Sequence, residues 1–341
     1  MAHDAPRPAD VMFGMISGFW VSRVIHTVAK LEIPDHLAES PATAEALAVK
    51  TGMHAPSLYR VLRAAAAAGI FEEDADGAFS VTPLGATLRK DVPGSLHAFA
   101  VTELGGGHYR AWGDLMHSVR TGEIAFDHAH GMTIWEYFFE RNPEDGQIFN
   151  ASMTGLTGTV VEAVLEAYDF TPYRRPVDVG GGQGAFLSAV VGTNPEARGV
   201  LFDAPSVIAK AGPGLKARGV ADRIETVSGS FFDSVPGGGD LYLLKWVLHD
   251  WNDDDNRKIL QNVRSAMPEG ARLVVVDTVV PVGNELSPSK FIDLDMMIAN
   301  GGMERTEQQF RDLFEASGFR LERIIPTHSP SSVIEGVPIG D

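Results

Sequence analysis

One segment carries most of the chemistry this chain could do, Val177-Asp178-Val179-Gly180-Gly181-Gly182-Gln183-Gly184-Ala185-Phe186. A β-branched run enters a glycine-rich turn that opens a helix. Glycines present no Cβ, so such a backbone lets a nucleotide come close. Asp203 ends the next strand pattern, about 20 residues on, where a carboxylate accepts hydrogen bonds from both ribose hydroxyls. The nucleotide itself has two readings. Gly180-x-Gly182-x-x-Ala185 satisfies the dinucleotide fingerprint in its G/A form and would suit a nicotinamide cofactor. Gly180-x-Gly182-x-Gly184 is the spacing that S-adenosylmethionine usually meets, and Asp178 stands where it can reach a cationic amino-acid group.

Two further clusters invite metal chemistry and have plainer readings. Asn252-Asp253-Asp254-Asp255 opens a helical stretch from about Asp254 to Met267, where a capping side chain and negative charge favour the N-terminus. Asp127-His128-Ala129-His130 has ligand-like spacing but no supporting cluster, and reads as a loop. No metal is expected. Zero cysteines exclude disulfides, thiolate sites and a cysteine nucleophile. Thr306-x-x-Gln309 reads as a capping box, which makes Thr306 structural.

The elements that must position these residues come in two grammars. Residues from about 10 to 100 read as short helices: Val11 to Lys30, Thr43 to Lys50, and Pro56 to Ala68, the last two closed by Gly52 and Gly69. Ile70-Phe71-Glu72, an Asp76-Gly77 turn and Ala78 to Val81 follow as a two-stranded wing. Ser95 to Tyr168 stays helical, with breaks at Gly105 to Gly107 and at Phe126 to Gly131. Beyond Tyr168, short β-branched runs alternate with helices: 177–179, 199–202, 224–227, 241–244 and 273–276. That alternation predicts a parallel, doubly wound α/β sheet. Phe319 to Ile325 and Ser332 to Val337 are expected to pair as an antiparallel edge.

Composition narrows the partners. The chain has 341 residues, 44% hydrophobic and 21% charged, with a net charge of −17. An acidic surface repels phosphate backbones and anionic lipid. A helix, helix, wing outline can mark a DNA binder, but Lys50, Arg60, Arg63, Arg89 and Lys90 are matched by Glu45, Glu72, Glu73, Asp74 and Asp76. Without excess positive charge that reading is poor. The alanine run Ala64 to Ala68 suits close helix packing instead. The first residues lack the basic region and cleavage site of a signal peptide. Val11 to Ala29 contains Arg23 and His26 and is expected to fall short of a membrane span. A cytoplasmic protein fits these features, with neither nucleic acid nor membrane as partner.

Four more segments follow the glycine loop in order: Leu201-Phe202-Asp203-Ala204-Pro205, Gly229-Ser230-Phe231-Phe232-Asp233, Leu244-Lys245-Trp246-Val247-Leu248-His249-Asp250-Trp251, and Gly301-Gly302-Met303-Glu304-Arg305-Thr306. Together they resemble the plant caffeic-acid-type O-methyltransferase family, whose bacterial members methylate aromatic natural products. The glycine loop alone is generic; the K-W-x-x-H-D-W and G-G-x-E-R-T segments are highly specific. The resemblance spans nearly the whole chain. It implies a winged-helix-like dimerisation domain over 1–100 and a methyltransferase domain over 101–341. Within the latter, a helical substrate-covering segment occupies 101–168 and a Rossmann-like core 169–341. The protein would be a homodimer with exchanged N-terminal helices, Phe13 to Trp20 touching the partner's pocket.

By that resemblance S-adenosylmethionine is the cofactor. Asp178, Gly180 and Gly182 would line its loop, Asp203 would bind the ribose, and Ser230 and Phe231 would flank the adenine. Lys245 would contact the cofactor near the end of the fourth strand. His249 matches the general base, steered by Asp277 and Glu304. Asn150 and Met153 match a substrate-facing helix, and His108, Trp246, Met297 and Asn300 would help shape the acceptor pocket. Two positions depart from the family: Ser230 where Asp is usual, and Asp277 where plant members usually carry Glu.

The chemistry asks for such residues. A sulfonium methyl is already activated, so alignment does much of the work. A phenol has a pKa near 10, and a positioned histidine supplies the usual ~10²–10⁴ of a general base. A carboxylate on the other ring nitrogen fixes the tautomer. The expected activity is methylation of a hydroxyl on a small aromatic or polyketide-like molecule. N-methylation or base-free transfer is the alternative on the same fold; an NAD-dependent oxidoreductase or a ligand-sensing regulator lies outside it.

Overall fold

The computed structural model describes residues 7–340; residues 1–6, read above for a leader, lie outside them. The chain divides into two compact units. The first comprises the residues up to Arg110 together with Trp135–Leu156, and the second Ala111–Ile134 and everything from Thr157. The expected boundary at residue 100 therefore falls inside a helix, His97–Glu103. The helical segment 101–168 is shared between the units, because the 25-residue helix Pro143–Ala167 serves both.

In the first unit the helix Pro8–Lys30 precedes Ala44–Thr51 and Ala55–Ala67. Thr43 caps the second of these by accepting the Ala46 amide, and Gly52 closes it at φ 72°. The wing is three-stranded rather than two-stranded: β1 (Ala42–Thr43) pairs with β3 (Ala78–Val81), which pairs with β2 (Phe71–Glu73). Thr43 does double duty, pairing with Ala78 just before it caps the helix. Leu47, Leu62, Phe71 and Phe79 fill the core. The helix Pro8–Lys30 leaves Phe13 63% and Trp20 55% exposed. By length and composition it and Pro143–Ala167 are each apolar enough to cross a membrane, which corrects the expectation for Val11 to Ala29. Its polar residues are engaged within the unit: Arg23 bonds the Leu104 carbonyl and lies over the Tyr109 ring.

The second unit is built on seven strands, β4 (Pro176–Val179), β5 (Gly199–Asp203), β6 (Ile224–Ser228), β7 (Leu241–Lys245), β8 (Arg272–Thr278), β9 (Phe319–Pro326) and β10 (Ser331–Pro338). Their spatial order is β6-β5-β4-β7-β8-β10-β9. The first five are parallel; β10 runs antiparallel between β8 and β9. Side chains alternate between two cores because strand residues point to opposite faces. Val177, Val179, Tyr242, Leu244, Leu273 and Val275 face one core, while Leu241, Leu243, Val274 and Val276 face the other. Burial on both faces explains why these strands are nearly uninterrupted apolar runs.

Candidate active site

Strand order reverses between β4 and β7, and ligands of parallel sheets collect at the carboxyl ends flanking such a switch. There β4 enters the glycine loop, β5 ends on Asp203 and β7 on Lys245. Gly180, Gly182 and Gly184 all take left-handed backbone angles, φ 70°, 61° and 77°, which side chains rarely adopt. The Gly182 amide donates to Asp203 Oδ2 at 2.8 Å and the Ala204 amide to Oδ1 at 2.7 Å. Burial raises the Asp203 carboxyl above its ordinary value, and these two amides hold it back.

Asp178 is 1% exposed, and neither of its oxygens has a hydrogen-bond partner among the described residues. Burial pushes it up to about 7, opposed chiefly by Lys245. The Leu187 amide favours its ionised form only weakly and makes no bond. A Cβ on Gly181 would lie 2.5 Å from Asp178 Oδ2, so the cradle requires glycine there. A buried carboxylate without a partner is costly and calls for a cation or donor. That matches the ammonium end of S-adenosylmethionine, while Asp203 suits its ribose. The residues present fit the cofactor.

Lys245 donates from Nζ to Thr157 Oγ1 at 3.2 Å and sits 3.7 Å above the Trp246 ring. Burial pulls it down to about 8 against the attraction of Asp178, Asp277 and Asp250. Trp246 holds φ 55°, and its indole N–H donates to Ser331 Oγ at 3.0 Å. That bond ties one edge of the indole to the start of β10. Ser230 is exposed and its hydroxyl accepts the Phe232 amide. Phe231 stacks edge-on against Phe232 and Trp251.

His249 lies in a 3-10 turn, Leu248–Asp250, just beyond β7. Its Nδ1 is 2.9 Å from Glu304 Oε1 but 3.7 Å from Asp277 Oδ1. Glu304 bonds the ring, whereas the oxygens of Asp277 have no hydrogen-bond partner among the described residues. The shorter Asp at 277 thus leaves a gap at Nδ1. Asp250 lies 3.7 Å from Nε2 and accepts a 2.7 Å bond from Asn300. Burial alone would lower the imidazole, but Asp277, Asp250 and Glu304 override it and lift it to about 10. The three carboxylates thus favour the protonated ring. Asp277 is raised by burial, with the imidazolium opposing.

Met297 and Asn300 stand half-buried at the end of the helix Ser289–Ala299. His108, Asn150 and Met153 belong to the first unit. There His108 is buried, its Nε2 3.8 Å from Glu103, Met153 is half-buried and Asn150 exposed. Asp127 to His130 is not a loop but part of a helix, Ala125–His130. Its His128 bonds Asp114 and stacks on His117 at 3.8 Å, so that pattern is absorbed in packing. Asn252 caps the helix Asp253–Ala266, and Thr306 and Gln309 form the capping box. The sequence reading passed over Asp250, although it adjoins His249, and Asp293, which accepts the Glu304 amide at 2.9 Å.

Comparison with known proteins completes the assignment. Residues 112–320 match the O-methyltransferase domain family and residues 13–91 the O-methyltransferase dimerisation domain. The chain belongs to the O-methyltransferase family, and S-adenosylmethionine is its methyl donor. It is 44% identical to a phenazine O-methyltransferase of Lysobacter antibioticus over 97% of this chain and 96% of that one. It is 36% identical to an 8-amino-8-demethylriboflavin N,N-dimethyltransferase of Streptomyces davaonensis, over 92% and 91%. Among solved structures, LaPhzM superposes with a TM-score of 0.91 at 44% identity, covering 98% of this chain and 100% of that one.

Proposed function

We propose that this O-methyltransferase methylates a phenolic hydroxyl of a small aromatic or polyketide-like natural product, with His249 as the group that takes the acceptor's proton. The observation that carries this reading is the 2.9 Å contact between His249 Nδ1 and buried Glu304, which leaves Nε2 to meet an acceptor. Bound S-adenosylmethionine supplies a methyl group already activated by its sulfonium. Asp178 would hold the amino-acid end and Asp203 the ribose, with Ser230, Phe231 and Lys245 completing that site. Met297, on the helix Ser289–Ala299, and Asn300, which ends it, together with Met153, Asn150 and His108 of the first unit, would bear on acceptor choice.

The lifted imidazole suits a phenol. A base near 10 matches a phenol near 10, so once the pair has given one proton to solvent, the proton that remains divides almost evenly between them. Methyl transfer then starts from an oxyanion beside an imidazolium, with Glu304 balancing the positive ring. The phenazine relative is consistent with a fused aromatic acceptor. The N,N-dimethyltransferase relative supports the second reading, transfer to an aryl amine.

Transfer of labelled methyl from S-adenosylmethionine to a panel of hydroxyarenes and their amino counterparts decides between them. Hydroxyarenes should be methylated, and His249→Ala should lower that rate by about 10²–10⁴. Turnover of amines alone, with the variant as active as wild type, would overturn the reading.

A further inference from the structure

Arg305, next to Glu304, is fully buried at 1% exposure. All five of its N–H donors are engaged. Nε and Nη2 reach Asp253 Oδ1 at 3.1 and 2.8 Å. Nη1 reaches the carbonyls of Leu248 and Met303 at 3.0 and 3.3 Å, and Nη2 that of Trp251 at 3.1 Å. Leu248 and Trp251 bracket His249 and Asp250. Buried Asn256 donates to the same two carbonyls at 2.7 and 2.8 Å. The Met303 amide returns a 2.9 Å bond to the His249 carbonyl. Gly302 approaches that carbonyl so closely that a Cβ would stand 2.0 Å from it.

Burying a guanidinium is costly even when fully bonded, and apolar packing would hold an ordinary loop as well. The planar five-donor fork does what packing cannot: it fixes carbonyls on both sides of one turn at set angles. Asp253, half-exposed at the head of its helix, holds the fork from behind. This absorbs one member of the acidic run, which helix capping by Asn252 leaves unexplained.

We propose that Arg305, held by Asp253, is a positioning residue that fixes the Leu248–Asp250 turn and so aims the His249 imidazole. The proposal rests on the reading of His249 as proton acceptor. The field of Arg305 works in the same direction, since its charge favours the ionised form of Asp277 beside the ring.

A double-mutant cycle on the full-length enzyme tests it, using Arg305→Lys, His249→Ala and both together, with one neutral phenol that the wild type methylates. Arg305→Lys keeps the charge but loses the fork. It should lower kcat about tenfold to a hundredfold, leaving KM and calorimetric affinity for S-adenosylmethionine within about twofold. On the His249→Ala background the same change should cost nothing further. Losses that multiply, or a wild-type kcat in Arg305→Lys, would overturn the proposal while leaving His249 as the acceptor. A fully active His249→Ala would instead remove both. Should Arg305→Lys fail to fold, Asp253→Asn carries the same cycle, because it loosens the fork from its exposed side.

Discussion

Glu304 reaches His249 across 55 residues of sequence to make a 2.9 Å contact at Nδ1. Asp277 is as deeply buried yet stops 3.7 Å from the same atom. One carboxylate aims the ring and the other only charges its surroundings, so their removal should differ. Glu304→Gln keeps an oxygen for the Nδ1 proton but loses the charge that steadies the imidazolium. It is expected to lower kcat about tenfold, while Asp277→Asn, which breaks no bond, costs less. Steady-state kinetics on both variants, with circular dichroism showing intact folds, provides the measurement. A Glu304→Gln protein that unfolds would make the residue a support of the loop and end its catalytic assignment.

Asp178 should make cofactor binding depend on pH. Its folded value near 7 lies above the ordinary 3.8, so burial favours the protonated form. The sign follows: this group stabilises the free fold fully below about 4, and that contribution is lost as pH rises through 7. A ligand cation reverses the preference by pairing with the carboxylate. Calorimetric affinity for S-adenosylmethionine should therefore tighten as pH rises from 6 to 8. Asp178→Asn should bind about tenfold to a hundredfold more weakly at pH 8 and show a flatter profile. It should also lose part of the wild-type fall in Tm over that range. An unchanged profile in the variant would assign the pH dependence elsewhere.

How much of this was legible in sequence depended on the range of each interaction. Strands β5, β7 and β8 declare themselves by apolar runs, and the glycine loop by residue types that act where they stand. The third wing strand did not, because Ala42–Thr43 is two residues long and exists only through pairing with Ala78 and Phe79. Asp250 and Asp293 escaped for a related reason. Their roles rest on contacts to Asn300 and to the Glu304 amide, which no local pattern encodes. The hydrogen bond from the Trp246 indole to Ser331, 85 residues away, was equally illegible.

Transfer should proceed without added metal. His249, Asp277 and Glu304 each offer a ligand atom within 4.8 Å of the others, so a bound cation is a concrete competitor for this cluster. Such a cation would displace the Nδ1 contact that orients the ring. Activity after dialysis against EDTA should match the untreated enzyme. Loss restored by magnesium or zinc would make the three residues ligands and end the proton-transfer role of His249.

The apolar helix Pro8–Lys30 should be covered by a second copy of the chain. Phe13, Met15, Ile16 and Trp20 are each more than half exposed, and a dimerisation-domain match begins at residue 13. A patch of that kind marks an interaction surface. Light scattering behind size exclusion should give about twice the 36.7 kDa chain mass. Phe13→Glu combined with Trp20→Glu should yield monomers; a wild-type monomer would count against the exchange of helices.

Acceptor binding should release a proton. In the free protein His249 is held protonated up to about 10 by three carboxylates. A phenol near 10 is also protonated at neutral pH. The reactive complex, however, holds one proton between them: an oxyanion beside an imidazolium, or equally a phenol beside a neutral ring. Forming it from two protonated partners sends one proton to solvent. Calorimetric titration of the S-adenosylhomocysteine complex with a phenol that the enzyme methylates, in buffers of different ionisation enthalpy, counts that proton. Proton release should be detectable at pH 7.5, reaching one per acceptor where the pair is held wholly in its singly protonated form, and falling toward zero for acceptors acidified by ring substituents, which arrive ionised. His249→Ala should release almost none with the neutral phenol, because nothing near Nε2 then balances an oxyanion. A neutral phenol that binds wild type without releasing a proton would leave both groups protonated, and His249 could not then be the acceptor of the hydroxyl proton.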